Sequence, residues 1–308
     1  LGAQGGAGLH PEPLALVGDH IIAPGETQAT YGMNVFLGGK GINQSIALAK
    51  AGVDIYHGGM IGEDGQVFLD ACREHGVHDE FIRTIDEKTG HTIIQVDKDA
   101  QNCILLFGGA NQSLTEEYID EVLEHFEAGD ILLLQNEVNK LDYIIDRAYD
   151  RKLVIALNPS PYNEKIEVCD LSKISIFLLN EIEGAQITGL TEPDDILASM
   201  RKRFPEAKIV LTLGKDGARY SDKDCEYEQP IFPVKAVDTT AAGDTFTGYF
   251  LAGLIRGMEI PDILRMSAKA SSIAVTRNGA VQSIPKREEV EAALSATRMI
   301  GSETERSA

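Results

Sequence analysis

Short apolar runs rich in leucine and β-branched residues alternate with longer amphipathic stretches, and this alternation constrains the fold more than any other feature of the chain. It is typical of an α/β fold in which helices cover the faces of a mainly parallel sheet. The runs predicted to be buried strands are Leu14–Val17, Ile131–Leu134, Leu153–Leu157, Ile176–Leu179 and Ile209–Leu213. The stretches predicted to be helices are Gly41–Lys50, Glu116–Phe126, Tyr143–Tyr149 and Asp194–Phe204, and Gly52 supplies a natural end to the first of them.

Two regions interrupt this rhythm. From about Thr27 to Leu37, and again from Thr89 to Phe107, the chain reads as extended strands of mixed polar and apolar residues. Asp97–Ala100 is the predicted turn between two of these strands. The pattern indicates a small separate sheet, which is either a lid over a site or a hairpin at a sheet edge.

The length of 308 residues allows a large buried core, and no repeat or linker divides the chain. We therefore predict a single domain over residues 1–308, with lid strands from about 27–37 and 89–107. Residues 1–13 and 300–308 carry no pattern of a regular element and are expected to be irregular.

The charge balance limits the possible partners. The formal net charge is −20, which argues against nucleic acid and anionic membranes as partners. A phosphorylated ligand must then be held by a local device, such as a helix N-terminus or one well-placed cation. There is no apolar run of the ~18 residues that a membrane span needs, and no signal-peptide pattern. The four cysteines lie far apart without metal-ligand spacing, which predicts free thiols in the cytoplasm.

The segment Ala236–Phe250 carries the most chemical information. The apolar residues Phe246, Tyr249, Phe250 and Ile255 form a helical stripe that begins just after Gly243, so the small residues Ala241–Gly243 form the first turn. The exposed N–H groups of such a turn bind anions. Asp244 lies in the same turn, where it either removes a proton from an attacking hydroxyl or merely caps the helix.

The glycine-rich segment Gly38–Asn43 is a second candidate site. It opens a predicted helix but matches neither the Walker pattern nor the dinucleotide-binding pattern. It is either a tight turn that brings the backbone close to a ligand, with Lys40 and Asn43 as polar contacts, or an ordinary turn before a helix.

These two segments resemble the signatures of the ribokinase-like (PfkB) carbohydrate kinases. Val237–Gly248 is similar to the C-terminal signature, Asp-Thr-x-Ala-Ala-Gly-Asp, and Gly38–Asn43 to the N-terminal one. The resemblance extends from about Pro24 to Val290. Further matches follow in the family's order at Ala156–Ser160, Leu179–Glu183, Leu211–Gly217, Ile273–Ala280 and Ser283–Pro285.

The resemblance implies an activity and a set of site residues. It implies an α/β fold of the ribokinase type with a small β lid, and transfer of the γ-phosphate of ATP to a sugar hydroxyl, most simply ribose to ribose 5-phosphate. Asp244 would be the general base, and the anion hole for the phosphate would be formed by Ala241, Ala242 and Gly243. The sugar would be held by Gly39, Lys40, Gly41, Asn43, Glu137 and Asp244.

The family's nucleotide and metal positions are also present. The nucleotide would be bound by Asn180, Thr212, Gly214, Lys215, Gly217 and Gly243. Glu183 would position Mg²⁺ through water, unless it is a surface carboxylate that opens a helix, and Lys215 could equally be a solvated loop charge. A potassium site, formed mainly by carbonyl oxygens, would involve Asp238, Thr240, Ala274, Arg277, Gly279 and Ser283. Pairing of lid edges would give a homodimer.

The chain departs from the family pattern near its start. Ribokinases carry Gly-Ser-x-Asn-x-Asp after the first strand, and its Asn and Asp hold the sugar. Here those positions fall on Pro11 and Pro13, unless Leu14–Val17 is the first strand and Asp19 takes the role. The acceptor could therefore be another small sugar or a nucleoside, whose base Tyr31 and Phe36 would cover. A ligand-binding homologue without turnover is the third possibility.

Overall fold

Two β-sheets and a set of covering helices appear in a computed structural model of the protein, which describes residues 2–3, 14–35, 37–98 and 102–305. The strands are β1 (Gly2–Ala3), β2 (Leu14–Val17), β3 (Gly32–Val35), β4 (Tyr56–Ile61), β5 (His78–Thr84), β6 (His91–Val96), β7 (Asn102–Phe107), β8 (Ile131–Gln135), β9 (Val154–Asn158), β10 (Ile176–Asn180), β11 (Lys208–Thr212), β12 (Ala218–Ser221) and β13 (Glu226–Gln229). The helices are α1 (Lys40–Lys50), α2 (Gln66–His75), α3 (Glu116–Glu124), α4 (Leu141–Asp150), α5 (Glu164–Glu167), α6 (Glu181–Thr188), α7 (Pro193–Arg203), α8 (Ala242–Ile255), α9 (Ile260–Ala274) and α10 (Arg287–Glu305).

The main sheet has the strand order β13-β12-β11-β10-β9-β8-β1-β4-β5. Its pairs are parallel from β11 to β5, and only β12 and β13 run antiparallel to their neighbours. The carboxyl ends of the parallel strands therefore meet at one edge, where ligands bind in open α/β sheets. Polar side chains stand at that edge at the ends of β8, β9, β10 and β11, namely Gln135, Asn158, Asn180 and Thr212.

Hydrophobic cores lie on both faces of this sheet. On β8, Leu133 packs in the core beneath α1, α8 and α9, whereas Leu132 and Leu134 pack in the core beneath α3, α4 and α7. Residues on alternating positions of a strand point to opposite faces, so β8 is apolar on both sides. This explains why the central strands appear in the sequence as continuous apolar runs.

Most of the predicted elements are confirmed. The runs at Ile131, Leu153, Ile176 and Ile209 form β8, β9, β10 and β11 of the main sheet, and the four predicted helices correspond to α1, α3, α4 and α7. Helix α1 ends at Lys50, Ala51 is its C-cap residue, and Gly52 follows with φ +81°.

One strand was assigned to the wrong sheet. Leu14–Val17 is β2 of the smaller sheet, antiparallel to β3 and parallel to β6. In the main sheet, β1 lies between β4 and β8. A run of four apolar residues suits a lid strand as well as a central one, so the pattern alone could not decide.

The smaller sheet has the order β3-β2-β6-β7 and draws strands from both predicted lid regions. It is a separate sheet and not a hairpin at the edge of the main one, so the predicted fold class, a mainly parallel sheet with a small β lid, is confirmed. Of the predicted turn at 97–100, residues 97 and 98 follow β6, and the other two lie outside the described residues.

The two chain ends differ in part from the expectation. Residues 2–3 form β1, and residues 300–305 belong to α10, so neither stretch is irregular. The other residues of 1–13 and 306–308 lie outside the described part of the chain, as does Phe36.

Within the described residues, the structure contains no helix that combines the length and the apolar character needed to cross a membrane.

Candidate active site

Asp244 lies in the first turn of α8 and is only 8% exposed. The helix begins at Ala242, and its N-cap residue Ala241 has no side chain that could accept a hydrogen bond from the turn. Asp244 does not cap the helix either. Both of its carboxylate oxygens accept hydrogen bonds from α1, from Asn43 Nδ2 at 2.8 Å and from Gln44 Nε2 at 2.9 Å. The N–H groups of the turn thus stand beside a carboxylate that a neighbouring helix holds in place.

Helices α1 and α8 come close enough for these bonds because Gly248 has no side chain. A Cβ added there would lie 2.9 Å from the carbonyl carbon of Ala47 and 2.9 Å from the amide nitrogen of Leu48. At its start, α1 follows Gly39, whose φ of +114° is readily adopted only by glycine. The glycines of both sequence segments therefore serve to bring the polar side chains together.

A group of opposite charges surrounds this carboxylate. Burial raises the pKa of Asp244, and this influence outweighs the Lys40 ammonium and the two amide donors, which lower it. Burial lowers the pKa of Lys40, but the carboxylates of Asp244, Glu137 and Glu183 more than offset this and raise it, so Lys40 stays charged. One cation thus stands among three carboxylates.

Glu137 follows the end of β8 and faces the same group. Burial raises its pKa to about 7, against the opposing influence of Lys40 and of the backbone N–H groups of Gly41 and Lys40. Its Oε2 is buried and has no hydrogen-bond partner among the described residues. That oxygen is therefore available to accept a hydrogen bond from a ligand hydroxyl.

Two cavities meet at the N-terminus of α8. The first, of about 200 Å³, is bounded at its polar end by Lys40, Asn180, Glu183, Thr240 and Asp244. The second, of about 380 Å³, extends away from the carboxylate between apolar walls and is lined in part by Gly214, Lys215, Gly217, Ala242, Ile231, Phe232, Val234 and Val275.

Three residues, Thr212, Gly243 and Phe246, line both cavities. A long ligand can therefore place an apolar ring in the larger cavity and a charged end beside Asp244. The arrangement suits transfer of a group along this line, from a ligand in the larger cavity to one that contacts Asp244.

Glu183 is a buried residue and not a surface carboxylate. It is 5% exposed, and with Asn180 it forms a capping box on α6, in which Glu183 Oε2 accepts from the Asn180 N–H at 3.0 Å. It also lines the smaller cavity together with Asn158, whose Oδ1 is buried without a hydrogen-bond partner in the described structure. Oxygen atoms of this kind, with waters between them and the ion, fit Mg²⁺.

Two of the residues expected to form a potassium site, Thr240 and Gly279, contact the carboxylate of Asp238. Its Oδ1 accepts from the backbone N–H of Thr240 at 2.9 Å, and its Oδ2 accepts from the N–H of Gly279 at 3.0 Å. The Asp238 N–H bonds to the carbonyl of Val275, next to Ala274 at the end of α9. Ser283 is buried, and the Arg277 side chain pairs with Glu289, which leaves only its backbone for an ion. Backbone carbonyls in such loops fit a monovalent cation.

Asp19, the alternative sugar contact, is exposed in the loop after β2. Side chains of that loop contact one another, as His20 does Glu26, and Asp19 does not line either cavity at α8. Pro11 and Pro13 lie outside the described residues. A role for Asp19 in holding the sugar therefore stays a prediction.

Reasoning from the sequence missed three polar residues. Gln44 donates to Asp244, Gln135 donates to Gln44, and Asn158 lines the smaller cavity with Glu183, yet none of the three was assigned a role. The available signal was the position of each residue, because Gln44 follows Asn43 on a helix and the other two end apolar strands.

The chain is similar to known proteins over most of its length. The model of the pfkB family carbohydrate kinases matches residues 14–287. The ribokinase of Bacillus subtilis (strain 168) is 32% identical over 287 residues, which cover 92% of this chain and 96% of that protein. A solved ribokinase from Thermotoga maritima has a TM-score of 0.82 at 32% identity, with 95% of this chain and 98% of that one covered. A ribokinase from Arabidopsis thaliana, complexed with ribose and ATP, has a TM-score of 0.80 at 28% identity and covers 94% and 96% of the two chains.

Proposed function

The chain belongs to the pfkB family of carbohydrate kinases, and from this membership we propose that it phosphorylates ribose with ATP to give ribose 5-phosphate. The observation that carries the proposal is the position of Asp244. This buried carboxylate lies in the first turn of α8, beside the junction of two cavities, and two amides hold it in place.

In the proposed reaction, Asp244 removes the proton from the attacking sugar hydroxyl. The hydroxyl oxygen then forms a bond to the γ-phosphorus of ATP, the bond from that phosphorus to the bridging oxygen breaks, and ADP leaves. Of the three residues Ala241, Ala242 and Gly243, the first and third offer their N–H groups to the charge on the transferred phosphoryl group, since the Ala242 N–H donates to the carbonyl of Thr239 at 3.2 Å. The raised pKa of Asp244 favours its role as a proton acceptor.

The acceptor is held by polar groups at the start of α1 and after β8. Lys40, Asn43 and Glu137 offer donors and acceptors for sugar hydroxyls, and the backbone of Gly39 and Gly41 lets the sugar approach. The family's Gly-Ser-x-Asn-x-Asp motif supplies an Asn and an Asp to the sugar, and in this chain their positions fall on Pro11 and Pro13. The loss of a charge-assisted hydrogen bond weakens binding by ~1.5–3 kcal/mol, or ~10–100-fold, so we expect a high KM for ribose.

The nucleotide occupies the larger cavity in this proposal. Its base packs between the apolar walls near Phe232 and Val275, and its phosphates reach Gly243. The residues proposed to contact it are Asn180, Thr212, Gly214, Lys215, Gly217 and Gly243. Lys215 lines the cavity, which supports a role beyond that of a solvated loop charge.

Two cations complete the proposed site. Glu183, with Asn158 beside it, would hold Mg²⁺ through water, and the ion supplies neutralisation of phosphate charge when bound. A potassium ion would be held at Asp238, Thr240, Ala274, Arg277, Gly279 and Ser283. Because Asp238 and Thr240 immediately precede α8, an ion there would fix the position of the anion-binding turn.

We also propose a homodimer joined through the lids. Met33, Leu105 and Phe107 expose large apolar side chains on the small sheet, which supports burial of this sheet against a second copy. The four free cysteines and the acidic composition are in keeping with a cytoplasmic enzyme. Sedimentation of a Leu105→Asp variant tests the dimer, because a charge in the joint should release monomers.

The function is tested by measuring ADP release with Mg-ATP and potassium in the presence of ribose, deoxyribose, fructose, adenosine or no acceptor. We expect turnover with ribose, and ³¹P NMR should identify the product as the 5-phosphate. Turnover only with another sugar or with adenosine would change the acceptor and keep the mechanism. If no acceptor supports turnover while ATP still binds, the protein is a ligand-binding homologue and the proposal is wrong.

A further inference from the structure

We propose that Gln44 and Gln135 form a buried amide relay that positions Asp244 and favours its ionised state. The inference rests on the proposed role of Asp244 as the base. Both glutamines are positioning residues in this proposal, since their side chains act through Asp244 and contact no substrate.

The relay consists of two hydrogen bonds in series. Gln135 Nε2 at the end of β8 donates to Gln44 Oε1 at 2.6 Å, and Gln44 Nε2 donates to Asp244 Oδ1 at 2.9 Å. Both glutamines are 0% exposed, so the chain of bonds is shielded from solvent. It connects the main sheet, α1 and α8 at the point where the proton is to be accepted.

The order of donors and acceptors gives the relay a direction. A side-chain amide has a donor end and an acceptor end. Because Gln135 donates to the oxygen of Gln44, the NH₂ group of Gln44 is turned toward Asp244. A donor at that place stabilises a carboxylate and has no such effect on a protonated carboxyl oxygen that itself donates.

The other groups around Asp244 make the hydrogen bond from Gln44 necessary for the ionised carboxylate. Burial raises the pKa of Asp244, and Glu137 adds a second negative charge nearby. The opposing groups are the Lys40 ammonium and the amides of Asn43 and Gln44. Glu183 on α6 faces the same cluster through Lys40. Asn43 keeps a buried Oδ1 without a partner in the described structure, which a sugar hydroxyl can use, whereas both ends of the Gln44 amide are engaged between Gln135 and Asp244.

A second observation indicates that the role of Gln135 is the hydrogen bond that it donates to Gln44. Its Oε1 is buried and has no hydrogen-bond partner among the described residues. A buried oxygen left in this state is unfavourable, and an apolar side chain of similar length would avoid it. The bond that Gln135 does make is the one that orients Gln44.

The test is the acid limb of the pH profile of kcat at saturating Mg-ATP and acceptor, because the titration of Glu137 acts on the KM for the sugar and does not enter kcat. In Gln44→Met the limb should move up by about one pH unit, which is about a tenfold loss of kcat at a fixed pH below it. Gln135→Met should move the limb in the same direction by less, because Gln44 then turns freely. The double variant Gln44→Met/Gln135→Met should match Gln44→Met, since Gln135 acts only through Gln44.

Ser45→Ala is the matched control. Ser45 is buried on α1 next to Gln44, but its hydroxyl hydrogen-bonds His57 and not Asp244. The acid limb of the pH profile of Ser45→Ala should therefore match that of the wild type. A limb that stays in place in Gln44→Met, or equal and additive shifts for the two glutamines, would overturn the relay. An Asp244→Asn enzyme with full turnover would instead contradict the proposed base, so the two failures are distinguishable. Should either single variant be too unstable to assay, the other still tests the direction of the shift.

Discussion

Replacement of Gly248 by alanine should separate α1 from α8 and thereby disturb the hydrogen bonds that hold Asp244. An added Cβ would lie 2.9 Å from two backbone atoms of α1, at Ala47 and Leu48, and closer still to the Ala47 Cβ. Backbone atoms of a helix cannot turn aside as a flexible side chain can. The two helices must therefore move apart by about 0.5 Å or more to restore ordinary contacts.

This displacement predicts two linked losses. Overpacking of a core contact typically costs about 1–3 kcal/mol, and such a destabilisation lowers Tm by about 1.5 °C per kcal/mol in a chain of 308 residues. The same movement stretches the bonds from Asn43 and Gln44 to Asp244, now 2.8 and 2.9 Å, to the limit for a hydrogen bond. Misplacement of a reacting group on the scale of 1 Å can cost ~100-fold, so we expect kcat to fall by about 10–100-fold.

Gly243→Ala on the same helix is the matched control. A Cβ added at Gly243 meets nothing within 4 Å, because the residue faces the two cavities. This variant should keep or slightly raise Tm, since alanine favours a helix by up to about 1 kcal/mol over glycine. Its kcat/KM for ATP should fall by at least about tenfold, because the methyl group stands in the path of the phosphates.

The two variants are compared by thermal unfolding and by steady-state kinetics under one set of conditions. Loss of both stability and activity in Gly248→Ala, with loss of activity alone in Gly243→Ala, is the predicted result. An unchanged Tm in Gly248→Ala would refute the reasoning about helix contact. Full activity in Gly243→Ala would refute the proposal that the phosphates of ATP lie beside Gly243.

Three further predictions concern single groups. Because the pKa of Glu137 is about 7, the KM for the sugar should rise several-fold as the pH falls from 8 to 6, and Glu137→Gln should make that KM high and independent of pH. His57 is buried with a pKa of about 3, far below its unfolded value of 6.5, so the unfolded chain binds an extra proton between these pH values and stability falls as the pH drops through this window. The loss should reach about 2 kcal/mol at pH 5, and in His57→Gln urea unfolding should show no such contribution relative to pH 7.5. Asn158→Leu should raise the Mg²⁺ concentration needed for half-maximal activity while leaving ATP binding without metal unchanged, and an unaltered Mg²⁺ requirement would contradict the site at Glu183.

The elements that the sequence predicts well are those with a strong local signal. The strands β8 to β11 are apolar on both faces because both are covered, and α8 begins where three small residues precede an aromatic stripe. The assignment of Leu14–Val17 failed because sheet membership depends on partners distant in the chain. That four-residue run pairs with strands at residues 32–35 and 91–96.

The site, like the fold, could be predicted where the sequence carries a local signal and not where distant residues meet. Motifs brought Asp244, Asn43, Glu137 and Glu183 to attention, and the structure places all four around the same region. The relay through Gln44 and Gln135 could not be predicted, because it depends on a contact between residues 91 positions apart in the chain. The roles of the cation residues also remain predictions, since carbonyl ligands leave little trace in the identity of a side chain.

The most direct test of the central claim compares the wild-type enzyme with Asp244→Asn in a turnover assay with saturating Mg-ATP and ribose, alongside ADP binding and thermal unfolding. The variant keeps the size of the side chain and removes the base. We predict that kcat falls by about 10²–10⁴-fold while ADP affinity and Tm remain close to those of the wild type. A variant that retains more than a tenth of the wild-type turnover would contradict the role of Asp244, because the proton would then be accepted elsewhere.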